Sequence, residues 1–141
     1  MKNITKLKCD LVELKSLANN LAKNAKAGNI YLLDGDLGVG KTTFTRLLIE
    51  AIYYRFKIKK PKNIRSPSFP IMINYSLFNY EINHYDLYRI SNLQELHEIG
   101  FFENLKKNIT IVEWPDIIIN HNELNKNYFI NFEIIDENER F

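Results

Sequence analysis

A glycine-rich loop between an apolar run and an amphipathic segment constrains the fold of this chain more than any other feature. The loop, GDLGVGKTTF, has the spacing G-x-x-x-x-G-K-[ST] from Gly35 to Thr42. Residues 29–34, NIYLLD, precede it as a strand candidate, and a helix is predicted from Lys41. A strand, a glycine loop and a helix in this order are the context of a phosphate-binding loop. The pattern predicts a site for a nucleoside triphosphate and magnesium, without separating a kinase from a switch or a motor.

Each position of the loop has a physical task in holding phosphate. Glycines let the backbone approach phosphate oxygens, so that N–H groups line a concave anion site at the positive end of the helix. Lys41 is expected to reach the β- and γ-phosphates, and the Thr42 hydroxyl is expected to bind magnesium. The predicted nucleotide-binding positions of the motif are Gly35, Gly38, Val39, Gly40, Lys41, Thr42 and Thr43.

Two carboxylates end apolar strand candidates and could supply the magnesium side of the site. Glu113 ends the strand at residues 109–113, and Asp86 ends the strand at residues 81–86, where His84 shares its face. Magnesium usually takes only one or two protein carboxylates, and α/β sheets place ligand chemistry at the carboxyl ends of their strands. Either residue could instead cap a following turn, so the choice between them stays open. His84 is interpreted as a packed, hydrogen-bonded histidine and not as a base.

The rest of the chain alternates strand and helix candidates, which predicts one domain over residues 1–141. Its expected fold is α/β and P-loop NTPase-like, with a central mixed, largely parallel sheet flanked by helices. A short helix is expected to start at Ser91, where Gln94 completes a capping box, and to stop at Gly100. The other predicted elements are an edge strand at 4–9, a helix capped by Asp10 in a unit that ends at Gly28, a hairpin of strands 71–78 and 81–86 that turns at 79–80, and a late strand at 128–135.

The composition is that of an ordinary globular domain. The chain has 141 residues, of which 45% are hydrophobic and 26% charged, and its net charge of +2 gives no strong pull toward nucleic acid. Cys9 is the one cysteine and is interpreted as a small buried apolar residue. No apolar run approaches the length of a membrane span, and the first residues lack the apolar core of a signal peptide. We therefore expect a cytoplasmic protein with no membrane contact.

Residues 55–70 form a basic, proline-broken segment that is predicted to be a loop. The cations that could touch tRNA or an acidic partner surface are Lys57, Lys59, Lys60, Lys62 and Arg65. A solvated loop is the commoner explanation of such a charge run. Next come Ser66 and Ser68 of SPSF, whose hydroxyls could follow the γ-phosphate as a switch loop does, although four residues alone fit a plain proline turn.

The ordered set of GDLGVGKTTF, SPSF, HYDLYR, ELHEIGF and IVEWP closely resembles the TsaE family, also called YjeE. These are bacterial P-loop ATPases of tRNA threonylcarbamoyladenosine biosynthesis. The resemblance covers roughly residues 10–115 and, more weakly, the tail. It implies that Lys41 and Thr42 bind phosphate and magnesium, that Glu113 takes the metal-side role, and that Asp86 is needed for hydrolysis.

The resemblance extends to further residues around the site. It implies that Trp114 lies beside the nucleotide and makes the late Arg140 a candidate nucleotide contact. Ser68 stands where the family usually has threonine, and the hydroxyl is retained.

The resemblance also implies partners and a cycle. The expected partners are the TsaB and TsaD proteins, with tRNA reached indirectly through their complex, and ATP hydrolysis is expected to reset that complex. ATP hydrolysis by this chain should be slow without the TsaB and TsaD proteins.

Other functions remain open on the residues alone. A small P-loop kinase of a small-molecule or nucleotide acceptor usually needs an arginine-rich lid, and the arginines here are scattered. A non-catalytic interaction module that binds ATP would differ from an ATPase only in lacking hydrolysis, which the sequence does not reveal. A GTPase is disfavoured because Asn125 and Lys126 are not followed by the aspartate of N-K-x-D.

Overall fold

A six-stranded sheet forms the centre of the molecule. The computed structural model describes residues 2–7, 11–35, 40–67, 69–121, 124 and 127–132. The elements are β1 (Lys2–Leu7), α1 (Leu11–Ala22), β2 (Ile30–Asp34), α2 (Lys41–Arg55), β3 (Met72–Ser76), β4 (Glu81–Asp86), α3 (Leu93–Glu98), α4 (Phe101–Asn104), β5 (Ile109–Glu113) and β6 (Asn127–Phe132). The strand order is β1-β6-β2-β5-β4-β3, and every neighbouring pair is parallel except the antiparallel β3–β4 hairpin. The predicted α/β fold with a mixed, largely parallel sheet is therefore confirmed.

Apolar side chains cover both faces of the sheet, as a parallel sheet between helices requires. Along β2 and β5 nearly every residue is buried, and successive side chains alternate between two apolar clusters. The first cluster joins the strands to α1 and α2 through Leu14, Phe44, Leu48 and Ile52. The second joins the opposite face to α3 and α4 through Leu96 and Phe101. The helix that follows the glycine loop thus packs on the first face.

The end of α1 lies earlier than the sequence suggested. The helix ends at Ala22, and the chain reaches Gly28 through two further turns, in which Asn24 and Ala25 donate their N–H groups to carbonyls three residues back. The Arg55 guanidinium then donates to the carbonyls of Ala22 and Ala25, at 2.7 and 2.5 Å. A side chain from the end of α2 therefore satisfies carbonyls that a longer helix would have used itself.

The capping box of α3 lies one residue later than predicted. Asn92 is the N-cap, and its side-chain oxygen accepts the N–H of Glu95 at 3.0 Å. The Glu95 carboxylate reaches back to the hydroxyl and N–H of Ser91, so Gln94 has no part in the box. Gly100 ends the α3 segment as predicted and becomes the N-cap of α4, which the sequence did not indicate.

The remaining boundaries agree closely with the predictions. β1 is an edge strand that begins two residues earlier than predicted, and the hairpin turns where expected. In β6, Ile130 and Phe132 both contribute to the first cluster, as their spacing predicted. The predictions for Cys9, Asp10 and Ile134 fall outside the described residues. Within the ranges that the structure describes, no helix is long and apolar enough to cross a membrane.

Candidate functional site

The predicted site residues converge at one edge of the sheet. β2, β5 and β4 are adjacent and parallel, so their carboxyl ends lie side by side. Leu33, just before the glycine loop, is paired with Glu113, and Glu113 is paired in turn with Asp86. The described ends of the glycine loop and both candidate carboxylates therefore lie at the same edge of the sheet, where α/β sheets bind ligands.

The described ends of the glycine loop have backbone conformations that favour glycine. Gly35 has φ 143° and Gly40 has φ 104°, both in the left-handed range that side chains rarely adopt. Gly40 is the N-cap of α2, so no cap side chain covers the first turn of the helix. Its N–H groups and the positive end of the helix dipole suit an anion. Gly38 and Val39, also predicted to bind nucleotide, lie outside the described residues.

Lys41 is held inside the loop by a carbonyl and an aromatic face. Only 4% of the residue is exposed, and its Nζ donates to the Gly35 carbonyl at 2.6 Å. The same Nζ lies 3.6 Å from the centre of the Trp114 ring, a cation–π contact. These partners offset the cost of burying an ammonium group. Thr42 is exposed and Thr43 half-buried in the first turn of α2, where their hydroxyls can reach a phosphate or a metal.

The backbone of Trp114 is strained. Its φ is 57°, in the left-handed region that a bulky residue rarely occupies, which costs on the order of 1–3 kcal/mol. This turn directly follows Glu113 and brings the ring over Lys41 and to 4.9 Å from the Tyr88 ring centre. The structure thus brings Trp114 to Lys41, the residue that is predicted to bind phosphate.

Different partners hold the two carboxylates. Glu113 is 3% exposed, and its Oε2 lies 2.7 Å from the Nε2 of the fully buried His84. Asp86 is 6% exposed, and its Oδ1 accepts the N–H of Tyr88 at 3.0 Å. The sequence predicted a packed, hydrogen-bonded His84, which the structure confirms. It did not identify Glu113 as the partner, because the contact depends on the register of β4 against β5.

The donor set fits magnesium. A hydroxyl and two carboxylates, from Thr42, Asp86 and Glu113, are hard oxygen ligands of the kind this ion prefers. Across the described ranges no group of three or more His, Cys, Asp or Glu side chains could hold a metal by itself. A cation at this edge would therefore take further oxygens from water and from a phosphate chain, as magnesium usually does.

The segment around SPSF adjoins the end of β4. Pro67 accepts the N–H of Ile71, and the Ile71 carbonyl accepts the N–H of Asp86 at 2.8 Å. The Arg89 guanidinium binds the Phe69 carbonyl and lies 5.4 Å from the Phe69 ring centre. Pro67, the neighbour of Ser66 in the sequence, is thus linked through Ile71 to the backbone of Asp86. Ser68 and Arg140, the other predicted contacts in the segment and the tail, lie outside the described residues.

Comparison with known proteins identifies the family. The family model described as "Threonylcarbamoyl adenosine biosynthesis protein TsaE" matches residues 9–140. The chain belongs to the TsaE family. Membership gives it a role in threonylcarbamoyl adenosine biosynthesis.

Individual relatives agree with this placement. A Rickettsia felis protein named tRNA threonylcarbamoyladenosine biosynthesis protein TsaE is 41% identical over 128 residues, covering 91% of this chain and 71% of that protein. An Aquifex aeolicus protein of the same name is 32% identical over 124 residues, covering 88% of this chain and 82% of that protein. The crystal structure of Bacillus subtilis YdiB superposes with a TM-score of 0.55 at 30% identity, covering 77% of this chain and 62% of that one.

Proposed function

We propose that the protein is a magnesium-dependent ATPase that serves the tRNA threonylcarbamoyladenosine-modifying complex as an accessory subunit, resetting a TsaB–TsaD complex between cycles. One observation carries the ATPase part of the proposal. The register places Asp86 beside Glu113, and Glu113 beside the strand that leads into the Gly35–Lys41 loop. Family membership supports the pathway.

Each residue of the site has a role in this proposal. Lys41 leaves or shares the Gly35 carbonyl to bind the β- and γ-phosphate oxygens. Thr42 and Glu113 would hold the metal, and Asp86 would either join them or orient the attacking water. A Mg²⁺ ion held by these residues would supply positive charge against the negative charge that develops during transfer. The loop N–H groups at the α2 terminus bind phosphate oxygens as well.

Slow turnover by the isolated chain is part of the proposal. An arginine that reaches the γ-phosphate is worth about 10³–10⁵ in rate where it acts. Arg46 pairs with Glu50, and Arg55 binds α1 carbonyls. Arg89, near Asp86 in sequence, binds the Phe69 carbonyl. Acceleration would follow if partner contacts moved Arg89 to the phosphates or supplied an arginine from the partner.

The test measures phosphate release from ATP by this chain alone and with purified TsaB and TsaD. We expect slow release alone and at least a several-fold increase with the pair. Lys41→Ala should abolish release in both settings, whereas Lys26→Ala, at an exposed lysine before the opposite end of β2 from the loop, should not. Fast release that ignores the partners would exclude the accessory role, and phosphate on a small acceptor would favour a kinase.

A second comparison separates the two carboxylates. Glu113→Ala is expected to raise the Mg²⁺ concentration needed for half-maximal turnover, because it removes the proposed metal ligand. Asp86→Ala should lower turnover even at saturating Mg²⁺ if this residue acts on the water. The opposite pattern would assign the metal to Asp86.

A further inference from the structure

The positive charge of the chain is concentrated in one segment. Residues 55–65 hold six of its 19 lysines and arginines and none of its 17 aspartates and glutamates. The remainder of the chain therefore has a net charge of −4. A whole-chain charge of +2 conceals this separation, and a local patch of this kind attracts anions that the average charge would not.

Apolar anchors fix the backbone that carries these cations. Phe56, Ile58 and Ile64 pack against the first apolar cluster, and the Phe56 ring meets the Tyr80 ring edge-on with 6.3 Å between centres. The N–H of Ile58 also donates to the Tyr53 carbonyl at 3.0 Å. The exposed cations between and beside the anchors are Lys57, Lys59, Lys60, Lys62 and Arg65. These cations project from a loop whose backbone is already held by packing. The loop therefore loses little conformational freedom when a ligand binds.

Four of these cations, Lys59, Lys60, Lys62 and Arg65, line a cavity of about 460 Å³ against the side of α2. We call it the basic groove; its lining residues are Arg46, Glu50 and residues 59–65. Glu50 is the one acidic residue in the lining, and it pairs with Arg46 at 3.5 Å and with Lys60 at 3.1 Å. Lys59, Lys62 and Arg65 form no ion pair with any carboxylate of the described residues. The groove therefore keeps three cations available for an external anion.

The shape and chemistry of the groove fit a phosphodiester chain. Residues 59–65 run without helix or strand pairing along it and can span up to roughly 20 Å, the length of several phosphates. The lining contains no aromatic side chain on which a base could stack or an apolar partner could anchor. Contacts would therefore go to the backbone and carry no sequence preference.

We propose that the basic groove binds the phosphate backbone of RNA, and that this is how the chain touches the tRNA substrate of its pathway. No residue of the groove lining is among the residues assigned to the nucleotide site. Arg46, the lining residue nearest to Lys41 along α2, lies more than one helical turn beyond it. RNA binding therefore does not depend on ATP hydrolysis. An acidic protein surface is the competing ligand that the experiment must exclude.

The experiment measures fluorescence anisotropy of a labelled, unmodified tRNA transcript titrated with the full chain without nucleotide. The test variant is Lys59→Ala/Lys62→Ala/Arg65→Ala. The matched control is Lys15→Ala/Lys23→Ala/Lys26→Ala, which removes the same charge from exposed positions on and after α1. At about 0.1 M salt the groove variant should bind roughly 10–100-fold more weakly, and its slope of log K against log salt should fall by about 2–3. The control should change affinity less than threefold.

Three outcomes would overturn the proposal. The first is that the chain shows no measurable tRNA binding. The second is that the two triple variants lose equal amounts of tRNA affinity. The third is that polyglutamate displaces tRNA as well as polyuridylate does when the two polymers are compared at equal charge concentration. Thermal melting of each variant checks that it is folded. If the triple groove variant does not fold, the single variant Lys62→Ala replaces it, with Lys26→Ala as its control. Lys41→Ala should bind tRNA normally, which separates failure here from failure of the proposed ATPase.

Discussion

At the scale of single residues, the site depends on contacts that the phosphate-loop motif does not specify. Lys41 is held by a carbonyl of its own loop and by the face of Trp114. Glu113 is held by a buried imidazole from the neighbouring strand. Both contacts fix a functional group before any ligand arrives, and fixed groups bind with less loss of freedom.

Substitution of His84 tests whether this orientation matters. In His84→Asn the shorter side chain should no longer reach Glu113, so the carboxylate loses its partner. We expect the Mg²⁺ concentration for half-maximal ATP turnover to rise about tenfold, with turnover largely restored at saturating Mg²⁺, since such supporting contacts change metal affinity about 10–100-fold. His97→Asn, at an exposed position on α3, is the control and should leave that concentration unchanged. Equal shifts in the two variants would contradict a positioning role.

Trp114 provides a spectroscopic test of the same site, because it is the only tryptophan of the chain. Phosphate binding should draw the Lys41 ammonium away from the ring, so saturating ATP with Mg²⁺ should change the tryptophan emission. In Lys41→Met the ring has no cation to lose, and the change should be much smaller. Constant emission, with nucleotide binding verified by equilibrium dialysis, would show that Lys41 stays under the ring.

At the scale of elements, β4 shows how one strand serves both faces of the sheet. His84 and Asp86 point to the face of α1 and α2, and Tyr85 points to the opposite face, where its ring meets Phe101 with 4.8 Å between centres. The Tyr85 hydroxyl is buried and has no hydrogen-bond partner among the described residues. Burial raises the pKa of Tyr85 to about 12 from its usual 10, because the phenolate is poorly solvated there.

This shift predicts alkaline destabilisation. The pKa of Tyr85 in the folded state lies above its pKa in the unfolded state. The contribution of the neutral Tyr85 to the free energy of unfolding is therefore fully present below pH 10. As the pH rises toward 12, about 2–3 kcal/mol of that free energy is lost. Tyr85→Phe should lose correspondingly less free energy of unfolding between pH 9 and 12, and should change little at pH 7. Urea unfolding across this range is the measurement, with Tyr54→Phe, 77% exposed, as the control. An unchanged pH profile in Tyr85→Phe would contradict the burial argument.

At the scale of the whole molecule, Arg55 ties the two helices of the first face together at their carboxyl ends. Arg55→Met should keep much of the apolar stem and lose both charge-assisted hydrogen bonds, to the last residue of α1 and to Ala25 just beyond it. Because the residue is largely exposed, we expect a loss of only about 1–2 kcal/mol in the free energy of unfolding. Lys57→Met, an exposed neighbour in the same loop, should cost much less in the same chemical denaturation assay. Equal losses would mean that the effect comes from charge alone.

The parts of this architecture that local patterns encode could be predicted. The apolar runs of β2 and β5 and the stripe of α2 follow from periodicity, and the loop motif located the nucleotide edge. The contacts that were missed depend on partners distant in sequence. Arg55 ends α1 from 30 or more residues away, and His84 meets Glu113 only because β4 and β5 pair in register. The cap at Asn92 was missed because two neighbouring residues, Ser91 and Asn92, both offered capping side chains.

The place of β6 in the sheet has a consequence for biosynthesis. β6 lies between β1 and β2, and within the described chain β1 has no other strand neighbour. During synthesis, β1 must therefore wait for β6, the latest of the described strands, before the two can pair. Until then β1 is unpaired and β2 has one open edge, which can pair with other nascent chains. This half of the sheet should thus form only after β6 has left the ribosome, and chaperones that shield strand edges should affect the yield of this protein more than its final stability.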